Sequence, residues 1–202
     1  MSEPIIYIVD DDEAVRRGLT AVIETMGIKI QTYDSAEAFL DAYQPNQPGC
    51  LIVDLQMPGM SGLELQNKIV ELNVDLPIIF ITGFGDIPTA IEAIQMGAID
   101  FLEKPFRNQV LRDKVQQALD LIERNQKNLK NIAQIKTKLQ SLTNREQEIT
   151  DLMLTGKTTK VIANELGINQ KTVDFHRINI MQKMDVQTVV ELVLLINKMP
   201  ST

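Results

Sequence analysis

The chain has 202 residues, of which 44% are hydrophobic and 23% charged, an ordinary composition for a globular protein of one or two domains. No stretch approaches the roughly 18 consecutive apolar residues of a membrane-spanning helix, and the first residues lack a secretion signal, so we expect a cytoplasmic protein without a membrane partner. The net charge of −7 is unevenly spread, because residues 1–123 carry −12 (20 acidic, 8 basic) and residues 124–202 carry +5 (7 acidic, 12 basic), which favours separate partners and a polyanionic one for the second part.

The first half of the sequence alternates short apolar runs with amphipathic segments. Strands are predicted at Ile5–Val9, Ile28–Thr32, Leu51–Val53, Ile78–Ile81 and Ile99–Leu102. Helices are predicted near residues 14–26, 36–42, 62–72 and 87–96. This alternation indicates right-handed βαβ units and a parallel sheet covered on both faces. The prediction is an α/β fold, a five-stranded doubly wound domain whose sites lie at the carboxyl ends of the strands.

Polar side chains follow four of the predicted strands. They are Asp10, Asp11 and Asp12 after the first strand, Asp54 at the end of the third, Thr82 at the end of the fourth, and Lys104 after the fifth. Asp12 has the position of a helix cap. Clustered carboxylates repel each other unless a cation joins them, and hard oxygen ligands favour Mg²⁺. The set predicts a pocket suited to phosphoryl transfer, in which an aspartate carboxylate is the nucleophile.

Several of these segments together resemble the receiver domain of two-component response regulators over about the first 120 residues. They are Val9-Asp-Asp, Val53-Asp-Leu-Gln-Met-Pro-Gly-Met-Ser-Gly62, Ile81-Thr-Gly, Gly97-Ala98 and Lys104-Pro105-Phe106. The resemblance implies that Asp54 accepts phosphate from a cognate sensor histidine kinase. It also implies that the Asp10, Asp11 and Asp54 carboxylates and the Gln56 backbone carbonyl hold Mg²⁺.

The same resemblance assigns roles to three further residues. Thr82 and Lys104 would bond the phosphoryl oxygens, Phe101 would be an aromatic switch, and the Lys104–Pro105 peptide bond would be cis. The segment Thr82-Gly-Phe-Gly85 departs from many receivers, which have alanine after the threonine. Its two glycines predict a mobile loop.

A segment without glycine or proline extends from residue 106 to residue 155 and predicts one long helix leaving the first domain. An apolar stripe at Val110, Leu111, Val115, Leu119 and Ile122 would face the core. Ile122, Leu129, Ile132 and Leu139 continue at heptad-compatible spacing, interrupted by Asn125 and Lys136. The pattern is compatible with a coiled-coil dimer seam and with a solvated spacer. We assign residues 1–123 to the receiver, 124–140 to a helical linker and 141–202 to a third segment.

The third segment predicts four helices. Thr143 and Glu146 form a capping box at the start of the first, which Gly156 closes. A short helix spans residues 158–166, a turn follows at Gly167, and a helix capped by Asn169 runs to about Met184. A last apolar helix covers residues 188–198. The expected architecture is an all-α helix-turn-helix domain.

The sequence of these 60 residues resembles the LuxR-type DNA-binding domain of the NarL/FixJ response regulators, and with the receiver in front the chain is most similar to FixJ-like regulators. The motifs are Leu142-Thr-Asn-Arg-Glu146, Gly156-Lys-Thr-Thr-Lys160, Ile162-Ala163, Leu166-Gly-Ile168, Thr172-Val173, His176 and Asn179-Ile-Met-Gln-Lys-Met184. The resemblance implies that the helix from Asn169 enters the major groove and that the helix from Thr158 crosses the DNA backbone.

Ten residues are candidate DNA contacts in this interpretation. Lys157, Thr159, Lys160 and Thr172 would contact phosphates, and Lys171, Asp174, Phe175, Arg177 and Ile178 would lie on or beside the groove-facing side. Arg177 has two donors for a guanine, and Asp174 could accept from a cytosine amine. His176 is expected to be structural or to contact a phosphate. Asp174 replaces a lysine of many relatives, and Thr159 replaces a common asparagine.

The favoured function is a phosphorylation-controlled transcription regulator that is not an enzyme. Its expected partners are the histidine kinase, promoter DNA, RNA polymerase and, on phosphorylation, a second copy of the chain. Two alternatives are a receiver-type scaffold whose C-terminal helices bind protein, and a phosphohydrolase with an aspartate nucleophile. The sequence shows no separate general acid or base and no cap domain for a hydrolase, and the basic C-terminal part favours DNA over protein.

Overall fold

The computed structural model describes residues 3–45, 47–83 and 87–199, and for residues 87–89 it describes the backbone. The chain forms two compact units, Met1–Asn125 (unit 1) and Gln126–Thr202 (unit 2). Among the described residues, no helix combines the length and the apolar character that crossing a bilayer requires.

Unit 1 contains a parallel five-stranded sheet with the strand order β2-β1-β3-β4-β5. The strands are β1 (Ile5–Val9), β2 (Lys29–Tyr33), β3 (Gly49–Asp54), β4 (Ile78–Thr82) and β5 (Asp100–Glu103). The helices are α1 (Glu13–Glu24), α2 (Ala36–Ala42), α3 (Gly62–Glu71), α4 (Ile87–Gln95) and α5 (Asn108–Gln140). The predicted doubly wound α/β fold is confirmed, although β2 and β5 each begin one residue later, and β3 two residues earlier, than the sequence pattern indicated.

The three central strands, β1, β3 and β4, are buried on both faces because helices cover both faces of the sheet. Ile6 and Ile8 of β1 pack in one core cluster with residues of α1 and α5. Tyr7 and Val9 point to the other face and pack in a second cluster with Phe39 of α2. The alternation follows from the two-residue period of a strand. The two cores hold the sheet in place, so that its carboxyl ends form one edge.

Two side chains of unit 1 have structural roles, and the contact of Asp12 confirms the helix cap that the sequence indicated. The Asp12 side chain accepts a hydrogen bond from the Ala14 backbone N–H at 2.7 Å and so caps α1. Cys50 is fully buried in β3, and burial raises the pKa of its thiol. Asp12 therefore serves as the cap of α1, and Cys50 is part of the core.

Helix α5 is continuous over 33 residues, as predicted from the absence of glycine and proline. Leu111 and Val115 are buried in the core of unit 1. Leu129 is 66% exposed in this single chain. That exposure is expected both for a coiled-coil seam without its partner helix and for a solvated spacer. Ile135 is 3% exposed and belongs to the core of unit 2. The end of the segment assigned as linker therefore helps to form the second core.

In the described part of unit 2, four helices follow α5, as the sequence predicted. They are α6 (Asn144–Leu154), α7 (Thr159–Leu166), α8 (Gln170–Met184) and α9 (Val189–Ile196). Gly167 ends α7 with a φ of 63°, and the Asn169 side chain then accepts from the Thr172 backbone N–H at 2.8 Å to cap α8. The left-handed glycine and the cap set the sharp change of direction between the two helices.

The carboxylate of Glu146 anchors unit 2 from inside its core. Glu146 is 3% exposed, and its Oε2 accepts from Lys183 Nζ at 2.7 Å and from the Thr143 backbone N–H at 2.8 Å. Burial raises the pKa of this carboxyl, but the bonds from Lys183 and Thr143 outweigh burial and lower the pKa below its ordinary 4.5. A lowered folded-state pKa stabilises the fold above pH 4.5, and this stability is lost as the pH falls through the folded-state pKa.

Glu146→Ala is therefore expected to lower the unfolding free energy of unit 2 by about 2 kcal/mol at neutral pH, since a charged acceptor and a helix cap are both lost. The difference from the parent protein should shrink below pH 4.5. Urea unfolding followed by circular dichroism measures both effects. Glu148→Ala is the control, because Glu148 makes a more exposed pair with Arg145 and should change stability little. An equal effect of the two substitutions would contradict the anchoring role.

Candidate functional site

Three carboxylates come together at the carboxyl edge of the sheet in unit 1. Asp10 and Asp11 follow β1, and Asp54 ends β3. The two strands are parallel neighbours with Val9 paired to Val53, so Asp10 and Asp54 emerge side by side. One oxygen from each of the three carboxylates lies within 4.8 Å of the others. The predicted clustering of these acids is therefore what the fold produces.

Lys104 brings a positive charge to this cluster from the far edge of the sheet. Its Nζ lies 3.0 Å from Asp10 Oδ2 and 3.5 Å from Asp54 Oδ2. The Lys104–Pro105 bond is cis, as the resemblance implied, and the Lys104 backbone N–H donates to the Thr82 carbonyl at 2.7 Å. Thr82 is buried at the end of β4. The structure thus brings three acids and one amine together at this edge, and Thr82 ends the strand beside Asp54.

The environment of Asp54 disfavours its ionised form. Burial raises the pKa of the Asp54 carboxyl, the charge of Lys104 opposes this rise, Asp10 adds to it, and the backbone hydrogen bond of Gln56 opposes it; the net direction is upward. Asp54 Oδ1 is buried and has no hydrogen-bond partner among the described residues. An all-oxygen donor set with an unsatisfied carboxylate oxygen fits a hard divalent cation such as Mg²⁺, which would offset the repulsion between the acids.

Two contacts that sequence reasoning missed hold the backbone beside these acids. Arg16 of α1 donates from Nη1 to the carbonyl oxygens of Asp10 at 2.6 Å and of Asp11 at 3.0 Å. Glu37 of α2 accepts from the Met60 backbone N–H at 3.1 Å, in the loop that follows Asp54. An arginine one helical turn beyond the capping aspartate was the available signal for the first contact. No local pattern indicated the second.

Phe101 lies on β5 opposite Phe80 of β4. It is half-buried and packs against one of the two core clusters. The predicted mobile loop Thr82–Gly85 includes residues 84 and 85, which lie outside the described residues. The structure thus places Phe101 on the strand next to Thr82.

Unit 2 presents the ten candidate DNA-contacting residues on or beside α7 and α8. Five are exposed, namely Lys160, Lys171, Asp174, Phe175 and Ile178. Five are half-buried, namely Lys157, Thr159, Thr172, His176 and Arg177. Two of the exposed residues on α8, Phe175 and Ile178, have large apolar side chains. Such side chains are unusual on a solvated helix and suit contact with base edges and thymine methyl groups.

The hydroxyls of Thr159 and Thr172 form hydrogen bonds within unit 2. Thr159 Oγ1 accepts from Arg177 Nη1 at 2.7 Å and lies 3.3 Å from Asp174 Oδ1, to which it donates. Thr172 Oγ1 donates to the capping Asn169 at 3.1 Å. Both hydroxyls therefore help to organise α7 and α8.

Three other candidate contacts differ in their surroundings. Lys160 is exposed. Lys157 Nζ forms an ion pair with Glu165 at 2.7 Å. His176 packs edge-on against Phe175, and its Nδ1 is buried with no hydrogen-bond partner in the part of the chain that the structure describes. Lys160 is thus the most accessible charge on α7 for a phosphate.

Comparison with known protein families and curated proteins gives a consistent assignment along the chain. The family model "response regulator receiver domain" matches residues 6–116, and the model "bacterial regulatory proteins, luxR family" matches residues 140–196. The response regulator protein TmoT of Ectopseudomonas mendocina is 45% identical over 95% of this chain and 87% of its own length. The transcriptional regulatory protein FixJ of Rhizobium meliloti is 38% identical over 96% of this chain and 95% of its own length.

Solved structures extend the similarity to the full length. The response regulator StyR is 42% identical, with a TM-score of 0.84 over 98% of this chain and 100% of that one. Full-length FixJ from B. japonicum is 34% identical, with a TM-score of 0.59 over 98% of each chain. The chain belongs to the response regulators that join a receiver domain to a LuxR-type DNA-binding domain, the architecture of the NarL/FixJ family.

Proposed function

We propose that a sensor histidine kinase phosphorylates Asp54 in unit 1 and that phosphorylation controls the binding of unit 2 to promoter DNA. The observation that carries the proposal is the position of Asp54, whose carboxylate lies within the reach of Lys104 and beside two further acids. The same chain has a helix-turn-helix with an exposed, partly apolar face on α8. In this proposal unit 1 supplies the phosphate acceptor and unit 2 supplies the DNA-binding helix.

In the proposed reaction a carboxylate oxygen of Asp54 attacks the phosphorus of the kinase phosphohistidine. The new P–O bond gives an acyl phosphate, the P–N bond breaks, and the imidazole leaves with the electron pair and takes up a proton. Lys104 and Thr82 stabilise the phosphoryl oxygens. Asp10, Asp11, Asp54 and the Gln56 backbone carbonyl are the residues that would hold Mg²⁺, which supplies charge neutralisation during phosphoryl transfer.

Two competing functions are less well supported. A phosphohydrolase with an aspartate nucleophile shares the pocket chemistry, but the FixJ relatives are named as transcriptional regulatory proteins, which favours a regulator that is not an enzyme. A protein-binding scaffold shares the receiver, but the luxR family match over residues 140–196 favours DNA as the ligand of unit 2. A regulator of promoter DNA acts beside the chromosome, so we place it in the cytoplasm with RNA polymerase as a partner.

Mg²⁺ is expected to stabilise unit 1 by mass action, by about 2.7 kcal/mol at a concentration 100 times the dissociation constant. Asp11→Ala should remove most of this stabilisation and slow labelling by acetyl phosphate, because Asp11 contributes one of the three clustered carboxylates and is exposed. Thermal unfolding with and without Mg²⁺ measures the first effect.

Asp12→Ala is the matched control for this experiment. Asp12 is also an acid after β1, but its carboxylate caps α1. Its loss should cost about 1 kcal/mol of stability and leave the response to Mg²⁺ intact. A full Mg²⁺ response in Asp11→Ala would remove Asp11 from the ligand set.

For unit 2 we propose that α8 enters the major groove. In this arrangement the residues toward the DNA backbone are Lys157, Lys160, Thr172 and His176. The residues at or beside the bases are Lys171, Asp174, Phe175, Arg177 and Ile178. Thr159 was also expected at a phosphate, but its hydroxyl already bonds Arg177 and Asp174. Arg177 is the strongest candidate for base recognition, since guanidinium donors match guanine O6 and N7.

Arg177→Ala is expected to cost roughly 1–3 kcal/mol on a preferred DNA sequence and to relax base preference, as loss of a bidentate base contact does. Lys160→Ala should weaken binding to all sequences about equally and reduce the salt dependence by about one phosphate contact. Gel shifts on selected and random duplexes at several salt concentrations compare the two. Identical behaviour of both variants on both duplexes would refute this division of roles.

A further inference from the structure

A chain of two hydrogen bonds links three candidate DNA-contacting residues across α7 and α8. Thr159 stands in the first turn of α7, and Asp174 and Arg177 lie three residues apart on α8. Arg177 Nη1 donates to Thr159 Oγ1 at 2.7 Å, and Thr159 Oγ1 donates to Asp174 Oδ1 at 3.3 Å. All three side chains line the same open groove beside α8.

The direction of these bonds follows from the chemistry of the three groups. A guanidinium only donates, a carboxylate only accepts, and a hydroxyl has one proton and two lone pairs. The Thr159 hydroxyl can satisfy both neighbours only by accepting from Arg177 and donating to Asp174. Hydrogen bonds in such a chain strengthen one another. Donation to Asp174 therefore polarises the Thr159 hydroxyl and makes its oxygen a stronger acceptor for Arg177.

The chain leaves Arg177 able to read a base. A guanidinium has five N–H donors, and the bond to Thr159 uses one of them at Nη1. An edge with two parallel donors stays available, which is what a bidentate contact to guanine O6 and N7 requires. Arg177 is half-buried, and its bond to Thr159 restrains the side chain. Restraint before binding reduces the entropy that the side chain loses when it meets DNA.

The negative charge of Asp174 is expected to lower the affinity of unit 2 for DNA of any sequence. Its carboxylate is exposed on the DNA-facing side of α8, where it repels phosphates. A lysine at this position would attract any duplex. Asp174 thus adds a negative charge to this face and, through its bond with Thr159, acts on Arg177.

We propose that Thr159 and Asp174 are positioning residues that orient Arg177 for recognition of one guanine, and that Thr159 is not a phosphate contact. This inference rests on the proposed DNA-binding function of unit 2. It predicts that losing the Thr159 hydroxyl changes base preference and leaves general DNA affinity as it was. A phosphate contact predicts the reverse, an equal loss on every sequence.

The test uses the full chain with Mg²⁺ and beryllofluoride, a phosphoryl mimic, and a duplex library with a randomised centre. Selection with the parent protein identifies the preferred duplex, and Arg177→Ala identifies the base pair that Arg177 reads. Thr159→Val, which keeps the shape and removes the hydroxyl, should lose about tenfold of the preference at that base pair, within the range of a bidentate contact. Its affinity for random duplex should be unchanged, and Thr159→Ser should restore the preference.

Two further variants separate positioning from a direct contact. In the Arg177→Ala background, Thr159→Val should have no additional effect on base preference, because both changes act through one contact. Asp174→Ala should bind random duplex more tightly and discriminate less. Equal loss on preferred and random duplexes in Thr159→Val, or full preference in that variant, would overturn the inference. Absence of any preferred sequence for the parent protein would instead overturn the proposed function, and this inference with it.

Discussion

Replacement of Asp54 by Asn is expected to reduce phosphorylation by acetyl phosphate and Mg²⁺ to below detection. The amide has nearly the shape of the carboxylate but lacks the nucleophilic oxygen and the negative charge. The fold should tolerate it, because burial already raises the pKa of the Asp54 carboxyl and the site disfavours its ionised form. Intact-protein mass spectrometry should show one added phosphoryl group in the parent protein, removable by hydroxylamine, and none in the variant.

Asp12→Asn provides the matched control for this prediction. Asp12 is also an acid in the segment after β1, and asparagine preserves the helix cap that Asp12 supplies. The control should therefore accept phosphate at the rate of the parent protein. Labelling of Asp54→Asn to the same extent as the control would show that a different acid is the acceptor, and would remove the central residue of the proposed function.

The site of unit 1 could be predicted from the sequence because each part of it is local. An apolar strand followed by Asp10 or Asp54 is visible in the sequence, and the parallel sheet brings consecutive strand ends together without further information. The sequence pattern did not determine every strand boundary, since buried β3 begins at Gly49, two residues before the predicted start. Strand β2 is an edge strand with no fully buried residue, so its apolar pattern is weak and its start was displaced by one residue.

Contacts between elements could not be predicted in the same way. The bonds from Arg16 to two carbonyl oxygens and from Arg177 to Thr159 depend on where a long side chain ends after two elements have packed. The heptad pattern included Lys136 in a seam and omitted Ile135, which the core of unit 2 buries. Successive residues of a helix point in different directions around its axis. The sequence of α5 alone therefore does not determine which of its residues the core of unit 2 buries.

Phosphorylation is expected to convert a weakly associating chain into a dimer that binds paired half-sites far more tightly. A phosphoryl group adds about two negative charges and three acceptor oxygens at Asp54, enough to draw in the hydroxyl of Thr82. We expect the half-buried Phe101 on the neighbouring strand to turn into the vacated space. Two discrete packings of the adjacent surface would follow.

The surface that would respond includes two exposed apolar residues of α4, Ile91 and Ile94. Pairing of two receivers through these residues would join two copies of unit 2. Binding of the second copy to an adjacent half-site then becomes intramolecular, and affinity rises by about 10²–10⁴ without any new contact to DNA. Exposed Val190 and Leu194 on α9 offer a second apolar surface for pairing on DNA. The expected gain is therefore confined to duplexes with two half-sites.

Analytical ultracentrifugation with and without beryllofluoride measures dimerisation of the chain. Gel shifts on duplexes with one or two half-sites measure the gain in DNA affinity. Ile91→Asp should abolish both responses. Val70→Asp on α3 is the matched control, since Val70 is 54% exposed against 51% for Ile91 and lies on a different helix of unit 1. A protein that is equally dimeric in both states would exclude dimerisation as the switch. Phosphorylation would then act by releasing an inhibited unit 2 or by reorienting a dimer that α5 already holds together.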